Sequence, residues 1–299
     1  MARIVCIGEG MLELSRREPA SRLGYGGDTL NTAIHLARAG HDVAYLTALG
    51  VDPFSAELKE QWQAEGVDTG LILTHPTRQA GLYAITTDAS GERSFTYWRD
   101  TSAAREMFAL PGTSRVLAQA EEADLIVFSL ITLAILLPED RAKLLALADR
   151  AHMRGGRVAF DGNYRPRLWR SLTETREARD AAIALADIGL PTLEDETRLS
   201  GEADAEAVAR HWTALGCAET IVKLGAEGCR LPDGTVSAPE RVLQPIDTSG
   251  AGDAFNAGYL DARLKGAPIA EAARAGHALA GWTIMRPGAI PAGDPRAAS

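Results

Sequence analysis

Asp247-Thr248-Ser249-Gly250-Ala251-Gly252-Asp253-Ala254-Phe255-Asn256-Ala257-Gly258 is the stretch that says most about the fold of this chain. Three small residues, Gly250 to Gly252, precede a segment with an apolar face, which predicts a tight turn that opens a helix. The first N–H groups of a helix have no partners within the helix, and the helix dipole places positive charge there. The stretch therefore predicts an anion-binding turn.

Asp253 is the unusual residue of this turn, because a carboxylate repels an anionic ligand. One interpretation is structural: the turn packs tightly and Asp253 caps the helix. The other is that Asp253 removes a proton as a general base. The side chains of Asp247, Thr248 and Ser249 crowd around the same turn and favour the second interpretation. The predicted catalytic residues are Gly250, Ala251, Gly252 and Asp253.

Length and charge limit the classes of protein that this chain can belong to. Its 299 residues, 46% of them hydrophobic, suit one large α/β domain or one domain with a small appendage. The net charge of -9 argues against nucleic acid or an anionic membrane as the main partner. A small anionic ligand stays open, because a few arginines can outweigh the global charge locally.

The cysteines and the first residues bear on location. Cys6, Cys217 and Cys229 are odd in number and widely spaced, which predicts reduced core thiols and no metal site. Residues 1–8 run directly into a predicted strand, so we expect no signal peptide, and no apolar run is long enough to span a membrane. These patterns predict a soluble cytoplasmic protein.

Short apolar runs alternate with helical patterns along the chain, which is typical of a mostly parallel sheet with helices on both faces. The predicted strands are Ile4–Ile7, Val43–Leu46, Leu125–Phe128, Val158–Phe160, Ile188–Leu190 and Thr220–Lys223. The predicted helices are Thr29–Ala39, Phe54–Glu65, Arg141–Met153, Thr173–Ala186, Ala205–Leu215, Ala254–Lys265 and Ile269–Met285. We therefore expect a three-layer α/β fold over residues 1–299.

Two stretches break this pattern. Gly81–Thr87 alternates apolar and polar residues and leads through a turn at residues 88–92 into a second alternating run, residues 93–99. This is the pattern of a β-hairpin with two different faces. We expect residues near 9–27 and 79–105 to leave the main domain as a small β lid that excludes water from a site.

A second glycine loop opens the first predicted helix, in the run Gly26-Gly27-Asp28-Thr29-Leu30-Asn31. A simple turn with an N-cap is one interpretation. The other is a polyol site, where Gly27 permits close approach while Asp28 and Asn31 bind hydroxyl groups. The chain contains no Walker A sequence, and Gly8-Glu9-Gly10 lacks the third glycine of a dinucleotide fingerprint.

Arginines follow the strand that ends at Phe160. Arg165 and Arg167 lie in a loop with Asn163, Tyr164 and Trp169. Ligands of parallel sheets bind beyond the carboxyl ends of strands, so the loop can hold a carboxylate or a phosphate, although a surface salt bridge is the alternative. Arg99, at the end of the lid hairpin, is a third cation that lid closure can bring inward.

Two further strand ends carry polar residues. Lys223 precedes Gly225 and Gly228, which suits a nucleotide contact as well as it suits a solvated sheet edge. Glu194, Asp195 and Glu196 can hold Mg²⁺ through water or cap the next helix.

Together these motifs resemble those of the ribokinase-like (PfkB) carbohydrate kinases along almost the whole chain. Residues 247–258 resemble the family's most specific signature, and Gly26-Gly27 with Asp28 and Asn31 resemble its sugar-binding signature. The motifs Ile7–Ser15, Tyr97-Trp98-Arg99 and Asn163–Trp169 also match. The resemblance implies ATP- and Mg²⁺-dependent phosphorylation of 2-keto-3-deoxy-D-gluconate on its terminal hydroxyl.

The resemblance also implies roles for individual residues. Residues Gly250–Gly252 form the anion hole and Asp253 is the base. The sugar-acid contacts that it implies are Gly27, Asp28, Asn31, Tyr83, Tyr97, Arg99 and Arg165. The nucleotide contacts that it implies are Asn163, Lys223, Gly225, Gly228, Gly250 and Gly252. Many members carry Asn-x-x-Glu where this chain has Thr192 and Asp195, so that motif's role does not transfer directly.

Two alternatives stay open, and both keep the fold. One is a kinase for a neutral sugar such as fructose or ribose, and the other is a non-catalytic sensor of sugar acids. We also expect a homo-oligomer, because the apolar side chains Leu82, Phe95 and Tyr97 of the lid need a cover. Dimerisation through the lid would provide it.

Overall fold

The computed structural model describes residues 1–17, 20–87, 93–201 and 204–293. The strands are β1 (Arg3–Ile7), β2 (Met11–Arg17), β3 (Ala20–Gly26), β4 (Asp42–Leu49), β5 (Ile72–Thr74), β6 (Gly81–Thr87), β7 (Arg93–Trp98), β8 (Leu125–Ser129), β9 (Arg157–Asp161), β10 (Ile188–Gly189), β11 (Glu219–Thr220), β12 (Val222–Lys223), β13 (Cys229–Arg230) and β14 (Val236–Ser237). The helices are α1 (Asp28–Arg38), α2 (Pro53–Ala64), α3 (Thr113–Ala120), α4 (Leu130–Ile135), α5 (Pro138–Met153), α6 (Leu172–Ile183), α7 (Leu193–Ser200), α8 (Ala205–Ala214), α9 (Ala251–Leu264) and α10 (Ile269–Ile284).

Seven strands of the described chain form the central sheet, in the order β11-β10-β9-β8-β1-β4-β5. Every neighbouring pair in it is parallel, so the predicted parallel sheet is confirmed. The chain runs from β1 outward through β4 to β5, then returns to β8 on the other side of β1 and continues outward to β11. The strand order therefore reverses between β1 and β8, where a crevice forms beyond the strand ends.

Helices cover both faces of this sheet, as predicted. Alternate residues of β1 point to opposite faces, so Val5 and Ile7 belong to one apolar core and Ile4 and Cys6 to the other. The first core is closed by α3 to α8, and the second by α1, α2, α9 and α10. The three cysteines are buried and unpaired, as expected of core thiols.

The strands that leave the main pattern form a second, four-stranded sheet in the order β3-β2-β6-β7, counted over the described residues. The hairpins β2–β3 and β6–β7 are antiparallel, and β2 joins β6 in parallel, with Met11 opposite Gly81. The predicted small sheet is confirmed. The predicted hairpin turn at residues 88–92 lies outside the described residues.

Thr220–Lys223 is extended, as predicted, but it borders two sheets. Glu219–Thr220 pairs with β10 in the central sheet, and the parallel pairing continues past β10 through a bridge between Lys223 and Thr192. Val222–Lys223 also pairs with Cys229–Arg230 in a small antiparallel sheet, which the sequence did not predict. The chain can turn back here because Gly225 and Gly228 adopt φ angles of 64° and 105°, which other residues rarely adopt. The turn leaves Lys223 at a strand end beside the crevice.

Over the described residues, no helix combines the length and the apolar character that crossing a membrane requires.

Candidate active site

A cleft of about 2020 Å³ lies beyond the carboxyl ends of β1, β9 and β10, and the second sheet contributes one of its walls. Ligand pockets usually measure about 300 to 1,000 Å³, so the cleft has room for two ligands. It brings together all the residues predicted to be catalytic or to contact the sugar acid or the nucleotide, whereas Glu196, a candidate for holding Mg²⁺, is buried against Arg179. The residues that it brings together are Gly27, Asp28, Asn31, Tyr83, Tyr97, Arg99, Asn163, Arg165, Lys223, Gly225, Gly228, Gly250, Ala251, Gly252 and Asp253.

The turn before α9 has the local structure that its sequence predicts. Gly250 is the N-cap and adopts a left-handed conformation with φ 70°, and a Cβ there would lie 2.6 Å from Ala289 Cβ. The Asp247 carboxylate accepts hydrogen bonds from the backbone N–H of Ser249 at 2.9 Å and of Gly288 at 2.7 Å. Asp247 thereby ties the turn to the chain after α10, and Gly250, Ala251 and Gly252 line the cleft.

Asp253 lies in the first turn of α9 and is partly buried at the floor of the cleft. Its Oδ2 accepts a 2.7 Å hydrogen bond from Asn31 Nδ2. Burial raises the pKa of Asp253 to about 8; the charges of Asp28 and Asp161 raise it further, against the lowering effect of Asn31 and Lys223. A carboxylate with a pKa near neutrality can accept a proton from a substrate hydroxyl and release it to water.

The second glycine loop places a polar wall opposite Asp253. Gly27 brings this loop against the segment that follows β1, since a Cβ there would lie 2.3 Å from the Glu9 carbonyl oxygen. Asn31 Oδ1 is buried and has no hydrogen-bond partner among the described residues, so it is available to a ligand hydroxyl. Asp28 Oδ2 accepts hydrogen bonds from Ser129 Oγ at 2.5 Å and from Asn163 Nδ2 at 3.1 Å.

The hydrogen bond to Asp28 bears on the role predicted for Asn163. The Asn163 side chain lines the cleft, but its amide donates to Asp28, which is predicted to contact the sugar. Direct contact between Asn163 and a nucleotide therefore stays a prediction.

Tyr83, Tyr97 and Arg99, aromatic and basic residues predicted to bind the sugar acid, all line the cleft. Tyr83 and Tyr97 pack with ring centres 5.9 Å apart, and the Tyr83 hydroxyl donates to the Glu13 carboxylate. Arg99 is buried and donates through Nε and Nη2 to Glu9 Oε2, with the Nε bond at 2.8 Å. Arg99 thus already lies in the cleft wall and carries a carboxylate partner, which the sequence did not predict.

Arg165 is the more accessible cation. Its side chain is 51% exposed, donates to the Tyr164 carbonyl oxygen at 2.7 Å and lies 3.5 Å from Asp195. Burial raises the pKa of Asp195, and the charge of Asp161 adds to this effect while Arg165 opposes it. A long contact to one carboxylate leaves the guanidinium free to turn toward a ligand carboxylate.

Lys223 lies beneath the turn before α9, in a buried group that the sequence did not predict. Its ammonium group donates to Asp161 Oδ1 and to Asn256 Oδ1, each at 3.1 Å, and Asn256 Nδ2 donates to Asp161 Oδ2 at 2.6 Å. The position of Asp161, at the end of β9 beside Asn163, was a signal that could have indicated this group. In the same way, the position of Glu9 directly after β1 could have indicated a partner for Arg99.

A magnesium ion would find carboxylates in the cleft. Asp161 and Asp195 both line it, and the charge of Asp161 helps to raise the pKa of Asp195. The described residues contain no group of three or more potential metal ligands. Mg²⁺ usually takes one or two carboxylates together with water and phosphate oxygens, so this donor set suits an ion that arrives with a nucleotide.

Comparison with known proteins agrees with the cleft. The sequence matches the pfkB family of carbohydrate kinases over residues 1–296. It is 42% identical to the 2-dehydro-3-deoxygluconokinase of Dickeya dadantii over 297 residues and 41% identical to that of Escherichia coli K12 over 298 residues, with 96% of each chain covered in both cases. Aminoimidazole riboside kinase from Salmonella enterica, solved with aminoimidazole riboside and an ATP analogue, superposes with a TM-score of 0.84 at 25% identity, covering 99% of this chain and 98% of that one.

The match over nearly the whole chain, the central parallel sheet with its small second sheet, and the glycine turn before α9 lead to one conclusion. The chain belongs to the pfkB family of carbohydrate kinases.

Proposed function

We propose that the protein transfers the γ-phosphoryl group of ATP to the terminal (C6) hydroxyl of 2-keto-3-deoxy-D-gluconate, which gives 2-keto-3-deoxy-6-phosphogluconate and ADP. The observation that carries this proposal is the 42% identity, over 96% of both chains, to a kinase named for this substrate. The arrangement of Asp253, Asn31 and Arg165 in one cleft supports it.

Asp253 would act on the acceptor hydroxyl. The O–H bond breaks as its proton passes to Asp253, and the oxygen attacks the γ-phosphorus while the bond to the β-phosphate oxygen breaks. Asn31 donates its amide N–H to Asp253 Oδ2, so the other carboxylate oxygen stays available for the proton. The role of the protein is mainly to hold donor and acceptor in line.

The charge that develops on the phosphoryl group needs fixed donors. The N–H groups at the start of α9, residues 250–252, would supply them at the positive end of the helix dipole. Lys223, buried directly below, adds a full positive charge. Mg²⁺ held near Asp161 and Asp195 would neutralise further charge on the phosphates when bound.

The acid group of the substrate gives an exposed cation in the cleft a role. Arg165 presents such a guanidinium, and Tyr97 and Arg99 line the same cleft. Replacing Arg165 with Ala should raise KM for the keto acid by about 10- to 100-fold, the effect of one charge-assisted contact of about 1.5 to 3 kcal/mol. KM for ATP should stay within twofold, and Arg170→Ala, on the surface outside the cleft, is the matched control.

A neutral-sugar kinase of the same fold remains the second candidate, because Arg99 is already paired with Glu9. A panel assay of ADP release with 2-keto-3-deoxygluconate, fructose and ribose separates the two. The proposal requires kcat/KM at least 100-fold higher for the keto acid. Turnover of fructose without turnover of the keto acid would reject it, and keto-acid binding without ADP release would indicate a sensor.

We further propose that the protein assembles through its second sheet. The face of this sheet that points away from the cleft carries Leu23, which is 43% exposed, and Trp98, which is 57% exposed, whereas Phe95 and Tyr97 point to the cleft. Exposed apolar side chains on one face of a sheet commonly mark an interface. Light scattering after gel filtration should give the mass of a dimer or larger assembly, and Trp98→Lys should reduce it to the monomer mass.

A further inference from the structure

We propose that Asn256 is a positioning residue that holds the Lys223 ammonium group beneath the phosphate-binding turn, and that it acts on catalysis only through Lys223. The inference rests on the proposed kinase activity, but not on the identity of the sugar. Asn256 does not line the cleft; it lies one helical turn after Asp253, on the side of α9 that faces the sheet.

The group is a closed, buried network. Asp161, Lys223 and Asn256 are 7%, 8% and 3% exposed. The Asn256 carboxamide accepts from the ammonium group with its oxygen and donates to the carboxylate with its nitrogen. Asn is suited to this place because its amide carries both an acceptor and donors, whereas a carboxylate offers acceptors alone.

The distances indicate what Asn256 does to the cation. Lys223 Nζ lies 3.1 Å from both Asp161 Oδ1 and Asn256 Oδ1, whereas a charge-assisted N–H···O⁻ bond is usually about 2.7 to 2.9 Å long. The ammonium group is therefore shared between the two oxygens instead of drawn fully onto the carboxylate. Because Asn256 occupies Asp161 Oδ2 at 2.6 Å, the carboxylate cannot close on Lys223 with both oxygens.

The ammonium group faces the turn from below. A Cβ placed on Gly252 would lie 3.8 Å from Lys223 Nζ, so the cation is close to the backbone that is proposed to hold phosphate. Two of its three N–H donors are used by Asp161 and Asn256, and the third can point to the turn. Without Asn256, Lys223 and Asp161 would pair more tightly and the cation would move away from the turn.

A double-mutant cycle tests this coupling on the full-length protein. The variants are Asn256→Leu, which keeps the size but removes both hydrogen bonds, Lys223→Met, and the two combined. We expect Asn256→Leu to lower kcat about tenfold and Lys223→Met about 100-fold, with KM for the acceptor sugar within twofold, because the affected charge acts mainly on the transferred phosphate. The combined variant should match Lys223→Met alone.

Three outcomes would overturn the proposal: a wild-type kcat for Asn256→Leu, a raised KM for the sugar as its main effect, or the same tenfold loss in the Lys223→Met background. If the Asn256→Leu variant fails to fold, Asn256→Asp is measured in its place. Its added negative charge should neutralise the charge of Lys223 and lower kcat at least tenfold. An unchanged kcat would again reject the proposal. Asp261→Asn, at the far end of α9, is the control.

The cycle is run with whichever sugar the wild type phosphorylates. A wild type that ignores the keto acid but accepts another sugar rejects the proposed substrate and leaves the cycle measurable. A wild type that is active on the keto acid, with no coupling between Asn256 and Lys223, rejects the inference alone.

Discussion

Asp253→Asn should lower kcat by about 10²- to 10⁴-fold, the usual contribution of a general base. The substitution preserves the shape of the side chain, and an amide oxygen can still accept the 2.7 Å hydrogen bond from Asn31 Nδ2. KM for the keto acid should therefore stay within about threefold of the wild-type value, since the lost interaction belongs to the transition state.

The same substitution should stabilise the fold, and the structure gives the size of the effect. Burial and neighbouring carboxylates raise the pKa of Asp253 from 3.8 to about 8. One pKa unit corresponds to about 1.4 kcal/mol, so ionised Asp253 costs the folded state up to about 6 kcal/mol above pH 8, before solvent in the cleft screens part of it. Because the folded pKa lies above the unfolded pKa, the cost is absent below pH 4, grows as pH rises and is complete above pH 8.

Two measurements on one variant check this reasoning. A coupled assay of ADP release gives kcat and KM, and thermal unfolding at pH 5 and pH 9 gives stability. Relative to the wild type, Asp253→Asn should gain about 5 °C or more at pH 9 and less at pH 5. A kcat within tenfold of the wild type would remove Asp253 from the role of base, and an unchanged melting temperature at pH 9 would refute its raised pKa. Asp261→Asn is the control for both.

Two further predictions follow from the same geometry. The wild-type kcat/KM should rise with pH up to about 8, because Asp253 must lose its proton to act and its pKa is raised to about 8. In Asp28→Asn this rise should move to lower pH, since one negative charge that raises the pKa of Asp253 is gone. An unchanged midpoint of the pH profile would contradict the assignment of Asp253 as the base. Gly250→Ala should cost about 2 to 4 kcal/mol, from left-handed strain and the overlap with Ala289, and lower kcat. Gly266 has φ 85° and open space around it, so Gly266→Ala should be destabilised by the backbone strain alone. Equal melting temperatures for the two variants would therefore exclude a contribution from the overlap of residue 250 with Ala289.

Local patterns predicted most of the helices and strands correctly because each pattern is read within one segment. The alternation of apolar runs and helical stretches led to the parallel sheet, and the two-residue alternation led to the second sheet. The double pairing of Thr220–Lys223 was not predicted. Thr220 pairs with Gly189 and Lys223 bridges Thr192 in parallel, while Val222 also pairs with Arg230 of the small antiparallel sheet. A continuous apolar run does not reveal that one of its halves borders a second sheet.

The candidate site was likewise predicted only in part. The glycine turn at residues 250–252 and the glycine loop at Gly27 were recognisable because each is a single run of residues. Partners that are far apart in the chain were not predicted. Asn31 meets Asp253 across 222 residues, and Asn256 meets Asp161 across 95.

The sequence by itself therefore determined the α/β fold, the family and the glycine turn that opens α9 with its carboxylate, because these depend on local conformation and on short motifs. Only the tertiary structure decided which charges are free to act. In it, Arg99 is paired with Glu9, Arg165 is exposed, and Lys223 is hydrogen-bonded to both Asp161 and Asn256. The strand order sets these pairings by bringing the carboxyl ends of distant strands to one edge, where burial and the neighbouring charges determine what each side chain can do.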